Sequence, residues 1–248
     1  MAGPTILTPA VVVGVVRYGE SSRIVRLATR ELGVQGAIAR GALRPRSRFG
    51  TSLHLLAEGT AHLILGRGDL ATLSAFDVTD LHQGLARSVA NFQAAAALAE
   101  LAARFVPPIP QVELYDALVQ GIALLEAAPP EAVEVIALLA LWRFLAELGF
   151  APETRRCVLD GRELGEGGLA LSVEAGGALC DACTAGNPPV RLSQDDRMAL
   201  EFFLHGHGEA PELDGRHAAA HRRLLARWVT RHLGDSEMPA LRTWQRGQ

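Results

Sequence analysis

The 248-residue sequence predicts an α+β, multidomain chain: a small β-barrel first, an all-α helical domain after it, and an inserted module that carries every cysteine. Three observations predict this. Up to about Asp80, short apolar runs rich in Val, Ile, Leu and Thr alternate with turn signals. From Leu81 onward apolar residues recur three and four apart, as one helix face demands. Between Ala151 and Pro189 that period gives way to a Gly-rich stretch holding all three Cys, and then resumes. The boundaries read as 1–80 for the barrel and 81–248 for the helical domain, with 151–189 inserted in it.

Taken in order, the candidate strands are Ala10–Arg17, Arg23–Thr29, Gln35–Arg40, Thr60–Leu65 and Leu70–Val78. Turn signals fall at Tyr18-Gly19, Leu32-Gly33, Glu58-Gly59 and Gly66-Arg67-Gly68. Five such strands match a compact Greek-key barrel of the OB type, although periodicity alone fits other small barrels as well. The first helix offers Leu85, Val89, Phe92, Ala96 and Ala99 as its apolar face and stops at Pro107-Pro108-Ile109-Pro110. A second carries Leu114, Leu118, Ile122 and Leu125. The third runs from Pro130 to Leu148, with Gly149 placed as a C-terminal cap, and its apolar residues nearly all round mark it as the central helix. Ser193 and Asp196 make a capping-box-like start for a helix ending near Gly206, and a final helix spans Gly215–Leu233.

With 49% apolar and 21% charged residues the composition is that of a folded globular chain. All 24 basic residues are Arg, a bias that a GC-rich genome explains. The net charge of −3 argues against a uniformly basic nucleic-acid binder but leaves room for a local basic patch. The apolar run Val11–Val16 is too short to span a bilayer, and Val133–Leu148 is broken by Glu134, Arg143 and Glu147. No basic start of a secretion signal precedes them, so a cytoplasmic protein without membrane contact is expected.

Two constellations carry chemistry. Cys157-Val158-Leu159-Asp160-Gly161 and Cys180-Asp181-Ala182-Cys183 read as two knuckles of a zinc-knuckle-like module, converging on one tetrahedral Zn²⁺. Asp160 stands where a fourth Cys would complete the usual pattern, and a carboxylate oxygen is an acceptable ligand. The alternative is a degenerate site held by packing alone. A redox CxxC would want a βαβ surround, and deaminase chemistry would want H-x-E upstream, whereas His207-Gly208-Glu209 lies downstream.

The second constellation is basic. Between Arg17 and Arg48 eight Arg (17, 23, 26, 30, 40, 44, 46 and 48) face only Glu20 and Glu31. Its densest part, Arg40 to Phe49, combines guanidinium forks, small residues and one aromatic that could stack a base. Phosphate binding by Arg17, Arg23, Arg26, Arg40, Arg44, Arg46 and Arg48, with stacking by Phe49, is therefore expected; a merely solvated loop is the alternative. Arg223, Arg227 and Arg231 form a second basic stripe opposite Leu225, Trp228 and Val229, which is either a solvent face or a contact for DNA or an acidic partner. His205, His207, His217 and His221 are expected in surface or satisfied polar contacts. There is no Gly-x-Ser-x-Gly, no His-Glu-x-x-His and, without Lys, no Walker-type loop, so no enzyme is expected.

Val16-Arg17-Tyr18-Gly19-Glu20-Ser21-Ser22-Arg23-Ile24-Val25, then Ala39-Arg40-Gly41-Ala42 through Ser47-Arg48-Phe49-Gly50, followed by helices and a two-knuckle insertion, resemble the bacterial RecO family of DNA repair proteins, which are recombination mediators. The resemblance spans the whole chain and departs from the family at Ser22, usually acidic, and at Asp160, usually Cys. It implies an N-terminal OB-fold β-barrel that binds single- and double-stranded DNA, strand annealing, contact with RecR and with the C-terminal tail of single-stranded DNA-binding protein, loading of RecA, and a nucleoid-associated place in the cytoplasm. An apolar groove rimmed by Arg on the helical domain is expected to receive the acidic tail. The rival expectation is a helical protein-interaction adaptor with no direct nucleic-acid role.

Overall fold

The computed structural model describes residues 5–50, 52–66, 68–186, 189–234 and 237–247. Arg67 of the last predicted turn and residues 187–188 of the predicted module lie outside them. Strands β1 (Thr5–Tyr18), β2 (Ser22–Thr29), β3 (Gly33–Ala39), β4 (Glu58–Ile64) and β5 (Leu70–Asp80) close into a barrel in the order β1-β2-β3-β5-β4. All neighbours are antiparallel except β3 and β5, which pair in parallel from Gly36↔Leu70. This is the OB-fold the sequence predicts. β1 is long because it serves two partners, β4 from Thr5 to Val11 and β2 from Ala10 to Tyr18, and a bulge between Val12 and Gly14 bends it from one to the other.

Inward positions alternate small and large: Ala10, Ala37, Ala39, Ala61 and Ala71 pack with Val12, Leu27, Leu63 and Leu73. The alanines let so few strands close round a filled interior. Glu58-Gly59, predicted as a turn, instead opens β4. A Cβ on Gly59 would stand 2.3 Å from the Asp77 carbonyl oxygen of β5, so the glycine serves close strand approach and not a reversal.

The chain divides into two compact units, one ending at Pro130 and the other starting at Glu131. The predicted boundary after residue 80 marks the end of the strands, and the first unit continues through a 3₁₀ turn (Gln83–Arg87), α1 (Val89–Phe105) and α2 (Val112–Ala127). The predicted face of the first helix is corrected: Leu85 belongs to the 3₁₀ turn, and Val89 and Phe92 are exposed. Ser88 caps α1 by accepting the Asn91 N–H, which restarts the helical phase and turns Asn91, Ala94, Ala95, Leu98 and Leu101 inward. Asn91 is buried and its Nδ2 donates to the carbonyls of Leu125 (2.7 Å) and Ala128 (3.0 Å), satisfying the end of α2. Gly33 has φ +67° and a Cβ there would meet the Pro107 oxygen at 2.1 Å, so the β2–β3 turn docks on the α1–α2 connection only as glycine.

In the second unit α3 (Val133–Glu147) is the buried centre, as predicted, with Leu138, Leu141, Trp142, Phe144 and Leu145 enclosed by α4 (Gln194–His205) and α5 (Gly215–Leu233). Trp142 and Trp228 meet at 6.0 Å between ring centroids, and Trp228 Nε1 donates to the Phe150 carbonyl at 2.7 Å. Ser193 and Asp196 form the full capping box. A small sheet joins β6 (Leu169–Ser172) and β7 (Gly177–Leu179) of the module to β8 (Val190–Leu192), just past its predicted end at residue 189. The helix predicted as final is followed by another, α6 (Pro239–Arg246), whose only buried side chains are Leu241 and Trp244. Among the described residues no helix is long and apolar enough to cross a membrane.

Candidate nucleic-acid interface and metal centre

The predicted arginines gather about one end of the barrel. Arg17 and Arg23 are Cα partners across β1 and β2, Arg23 pairs with Ala39, and Arg40 follows directly. The β3–β4 connection is tied to the same end, where Leu43 N donates to Ser21 O at 2.9 Å and Arg23 Nη1 to Leu53 O at 2.6 Å. Successive turns, Arg44 N to Gly41 O, Ser47 N to Arg44 O and Gly50 N to Ser47 O, shape it. Ala42, Phe49 and Leu53 insert into the barrel core and anchor it. Arg40, Arg44, Arg46 and Arg48 are left exposed between these anchors. Among the described residues none of Arg17, Arg26, Arg40, Arg44, Arg46 and Arg48 forms an ion pair with a carboxylate. Arg30, by contrast, is committed to Asp116 at 3.2 Å.

The outer face of β1-β2-β3 continues this surface. Val16, Ile24 and Ile38 align across the three strands, and the next row is Gly14, Arg26 and Gly36. With a glycine on either side, the Arg26 guanidinium stands uncovered. Tyr18, 53% exposed, ends the strip.

In the module the two knuckles are brought together by backbone pairing: Val158 N donates to Ala178 O at 2.9 Å and Ala178 N to Glu153 O at 2.8 Å. A Cβ on Gly177 would lie 2.6 Å from Val158 Cγ1, so glycine permits the approach. One ligand atom each from Cys157, Asp160, Cys180 and Cys183 then lie within 4.8 Å of one another. Sulfurs 2.3 Å from a tetrahedral Zn²⁺ sit about 3.8 Å apart, so the group closes on an ion with small adjustments. Burial opposes ionisation of Cys157, yet N–H groups of Cys180, Asp160 and Leu159 bring its thiol below the ordinary value. Asp160 is held down to about 2 by the Arg162 N–H and by the Cys157 and Cys180 thiols. The Cys183 thiol is pushed up to about 12 by its hydrogen bond to Cys180, by burial and by the neighbouring Cys157 and Asp160. The obstruction of the Cys183 thiol by its neighbours is what a bound dication relieves. The four residues predicted from spacing can therefore hold a metal.

Two family models cover nearly the whole chain: recombination protein O N terminal matches residues 1–82 and recombination protein O C terminal matches residues 88–242. The chain belongs to the recombination protein O family. It is 36% identical over 235 residues to a DNA repair protein RecO of Anaeromyxobacter dehalogenans (strain 2CP-C), covering 90% of each chain. To the DNA repair protein RecO of Symbiobacterium thermophilum it is 30% identical over 225 residues, 88% of each. Family membership supports a role in recombination repair.

Within this recombination protein O barrel, one predicted role is corrected. Phe49 is only 3% exposed and fills the core, with the Arg48 guanidinium 5.2 Å above its ring, so it has no face to offer a base. The exposed aromatic is Tyr18. Strict alternation from inward Val25 and Leu27 puts Ile24 and Arg26 outward, and that signal identifies the strip of Val16, Ile24 and Ile38, which the charge count passes over. In the second unit Arg223 and Arg227 are exposed as predicted, while Arg231 pairs with Glu174. His221 is buried against Asp196 (3.3 Å) and Phe203. A groove of about 830 Å³ beside Met198 and Phe202 is rimmed by Asp195, Glu201, Glu209 and Glu212, the wrong sign for an acidic peptide. A smaller one, about 470 Å³, is lined by Val173, Glu174, Ala226, Arg227, Thr230, Arg231 and Gln245.

Proposed function

We propose that this chain is a non-enzymatic recombination mediator that binds single- and double-stranded DNA on its barrel, anneals complementary strands and, with RecR, helps load RecA onto single strands coated with single-stranded DNA-binding protein. The observation that carries the reading is the set of exposed arginines without carboxylate partners around one end of an OB barrel. Arg17, Arg40, Arg44, Arg46 and Arg48 neutralise phosphates, and Arg23, held by Leu53 O, orients the loop beside them. Single strands extend along the β1-β2-β3 face, where Tyr18 stacks a base and Arg26 meets the backbone. Because these contacts address phosphates and ring faces, pairing is left to the bases. Annealing follows from lowering the repulsion between two strands, and no nucleotide hydrolysis is needed.

The acidic tail of single-stranded DNA-binding protein meets Arg227 at the smaller groove, and reaches Arg231 only by displacing Glu174. Zn²⁺ held by Cys157, Asp160, Cys180 and Cys183 is structural, since four protein ligands leave no open position. Nucleoid association in the cytoplasm follows from DNA binding.

Fluorescence anisotropy with a labelled oligonucleotide across a salt series tests the reading. Affinity is expected to show little sequence preference and to fall with salt at a slope of about −0.7 per phosphate on single strands. A salt-independent affinity, or none, overturns it and favours the adaptor. Strand annealing with and without coated strands then tests the mediator role. For the metal, elemental analysis is expected to find zinc, and chelation to lower the melting temperature of the second unit.

A further inference from the structure

The geometry points to a second metal site, in the first compact unit, where Asp80, His82 and Glu126 bind a divalent cation that joins β5 and α2. His82 follows β5 and opens the 3₁₀ turn in the left-handed conformation (φ 48°, ψ 45°), with its side chain buried. Its N–H donates to Asp80 Oδ1 at 2.7 Å, which leaves Asp80 Oδ2 3.9 Å from the ring Nδ1. Glu126, in the last turn of α2, brings Oε2 to 2.7 Å from the same Nδ1. Its other oxygen accepts the Gly84 N–H at 2.7 Å, and a Cβ on Gly84 would stand 2.5 Å from that oxygen, so a larger residue there would push the carboxylate aside.

The opposite ring nitrogen decides the case. His82 Nε2 is buried, has no hydrogen-bond partner, and faces Glu58 Oε2 of β4 at 3.4 Å. One imidazole thus stands among three carboxylates, and among the described residues no arginine pairs with Glu58, Asp80 or Glu126. One imidazole, whatever its charge, offsets at most one of three carboxylates, and the remainder, in surroundings partly withdrawn from water, calls for a further cation. On binding the ion the ring proton moves to Nε2, where Glu58 Oε2 at 3.4 Å is the acceptor, and the Nδ1 lone pair faces the point that Asp80 and Glu126 also face. That is the carboxylate–histidine–metal arrangement, in which the outer carboxylate fixes the tautomer. The three ligand atoms lie within 4.8 Å of one another, and two atoms bound at about 2.1 Å to one ion are never more than about 4.2 Å apart, so small side-chain movements suffice. One nitrogen and two oxygens suit Mn²⁺, Fe²⁺, Co²⁺ or Zn²⁺, whereas the three thiols of the knuckle select softer ions. Waters complete the shell.

Mn²⁺ is the probe that separates the two sites. In a titration of the full chain, with its knuckle zinc-loaded, the free Mn²⁺ signal in electron paramagnetic resonance is expected to show one equivalent bound. Asp160→Asn, which alters only the knuckle, is expected to bind the same equivalent. Glu126→Gln and Asp80→Asn are expected to lose at least tenfold in Mn²⁺ affinity; Asp80 is half exposed, so its variant keeps the fold even if the Glu126 variant does not. No Mn²⁺ bound by the wild-type chain, or equal affinity in Asp80→Asn, overturns the site and leaves His82 as a hydrogen-bonded link between β5 and α2.

Discussion

Arginine is the only strong side-chain cation in both compact units, and the cluster at the end of the barrel uses it differently from the ion-paired arginines of the helical unit. In the barrel unit Arg17, Arg26, Arg40, Arg44 and Arg46 stand exposed without carboxylates. In the helical unit Arg156, Arg197, Arg222 and Arg231 are each set against Glu163, Glu201, Glu134 and Glu174. A guanidinium already hydrogen-bonded to a carboxylate must break that pair before it can meet a phosphate; a hydrated one exchanges only water. The net charge of −3 hides this division, because the field a ligand meets is set by which charges are uncommitted. The intrinsic fluorophores divide the same way, with Trp142, Trp228 and Trp244 in the second unit and Tyr18 and Tyr115 in the first. Each half can therefore be followed separately.

The largest effect expected is on stability, at a committed arginine. Arg197 joins Glu201 at 3.1 Å and donates to the carbonyls of Gly165 (2.7 Å) and Thr154 (3.0 Å), pinning the knuckle module to α4. Arg197→Ala is expected to cost about 3 kcal/mol in tryptophan-monitored denaturation, since it strands partly buried acceptors, and to leave DNA affinity unchanged. An equal loss of DNA affinity would break the contrast between the units. Next comes Arg44→Ala with Arg46→Ala, expected to weaken single-strand binding roughly tenfold and to make the salt slope shallower by about 1.4, with no change in melting. Tyr18→Ala is expected to cost about 1 kcal/mol on single strands and nearly nothing on duplex, where no base face is free; equal losses on both would remove the stacking role.

The fold was legible where periodicity is strong and local. Five strands, the capping box at Ser193 and the Gly215–Leu233 helix could be read because alternation, caps and amphipathicity are written in consecutive residues. The phase of α1 was not, because in an alanine-rich segment Val89 and Phe92 look like the face until the Ser88 cap resets the count. Cys157, Asp160, Cys180 and Cys183 could be grouped from spacing, since turns constrain their neighbours. Phe49 misleads because an aromatic amid arginines looks like a stacking partner, and only the closed barrel shows that its end needs a plug. Asp80, His82 and Glu126 leave no signal at all: they are joined by the packing of α2 on the barrel unit, over a sequence separation that no motif spans.

The smallest effect expected is a pH dependence confined to the second unit, and its sign follows from His221. Burial holds the His221 imidazole below the ordinary histidine range; Asp196 at 3.3 Å opposes that shift without cancelling it, and His217 adds to it. The unfolded chain therefore takes up a proton at a higher pH than the folded one does, so stability rises with pH through that interval. It is fully present above the ordinary histidine value of about 6.5 and is lost as the pH falls toward the lowered folded value. Asp196, kept below the usual carboxylate range by Ser193 despite its burial, adds a loss of the same sign in more acid solution. Tryptophan-monitored denaturation between pH 7.5 and 5.5 is expected to show wild type losing stability and His221→Gln, itself less stable at both values, losing less. A variant with the same pH slope as wild type would assign the dependence to other groups, and a wild type that gains stability on acidification would mean that Asp196 outweighs burial and holds His221 charged.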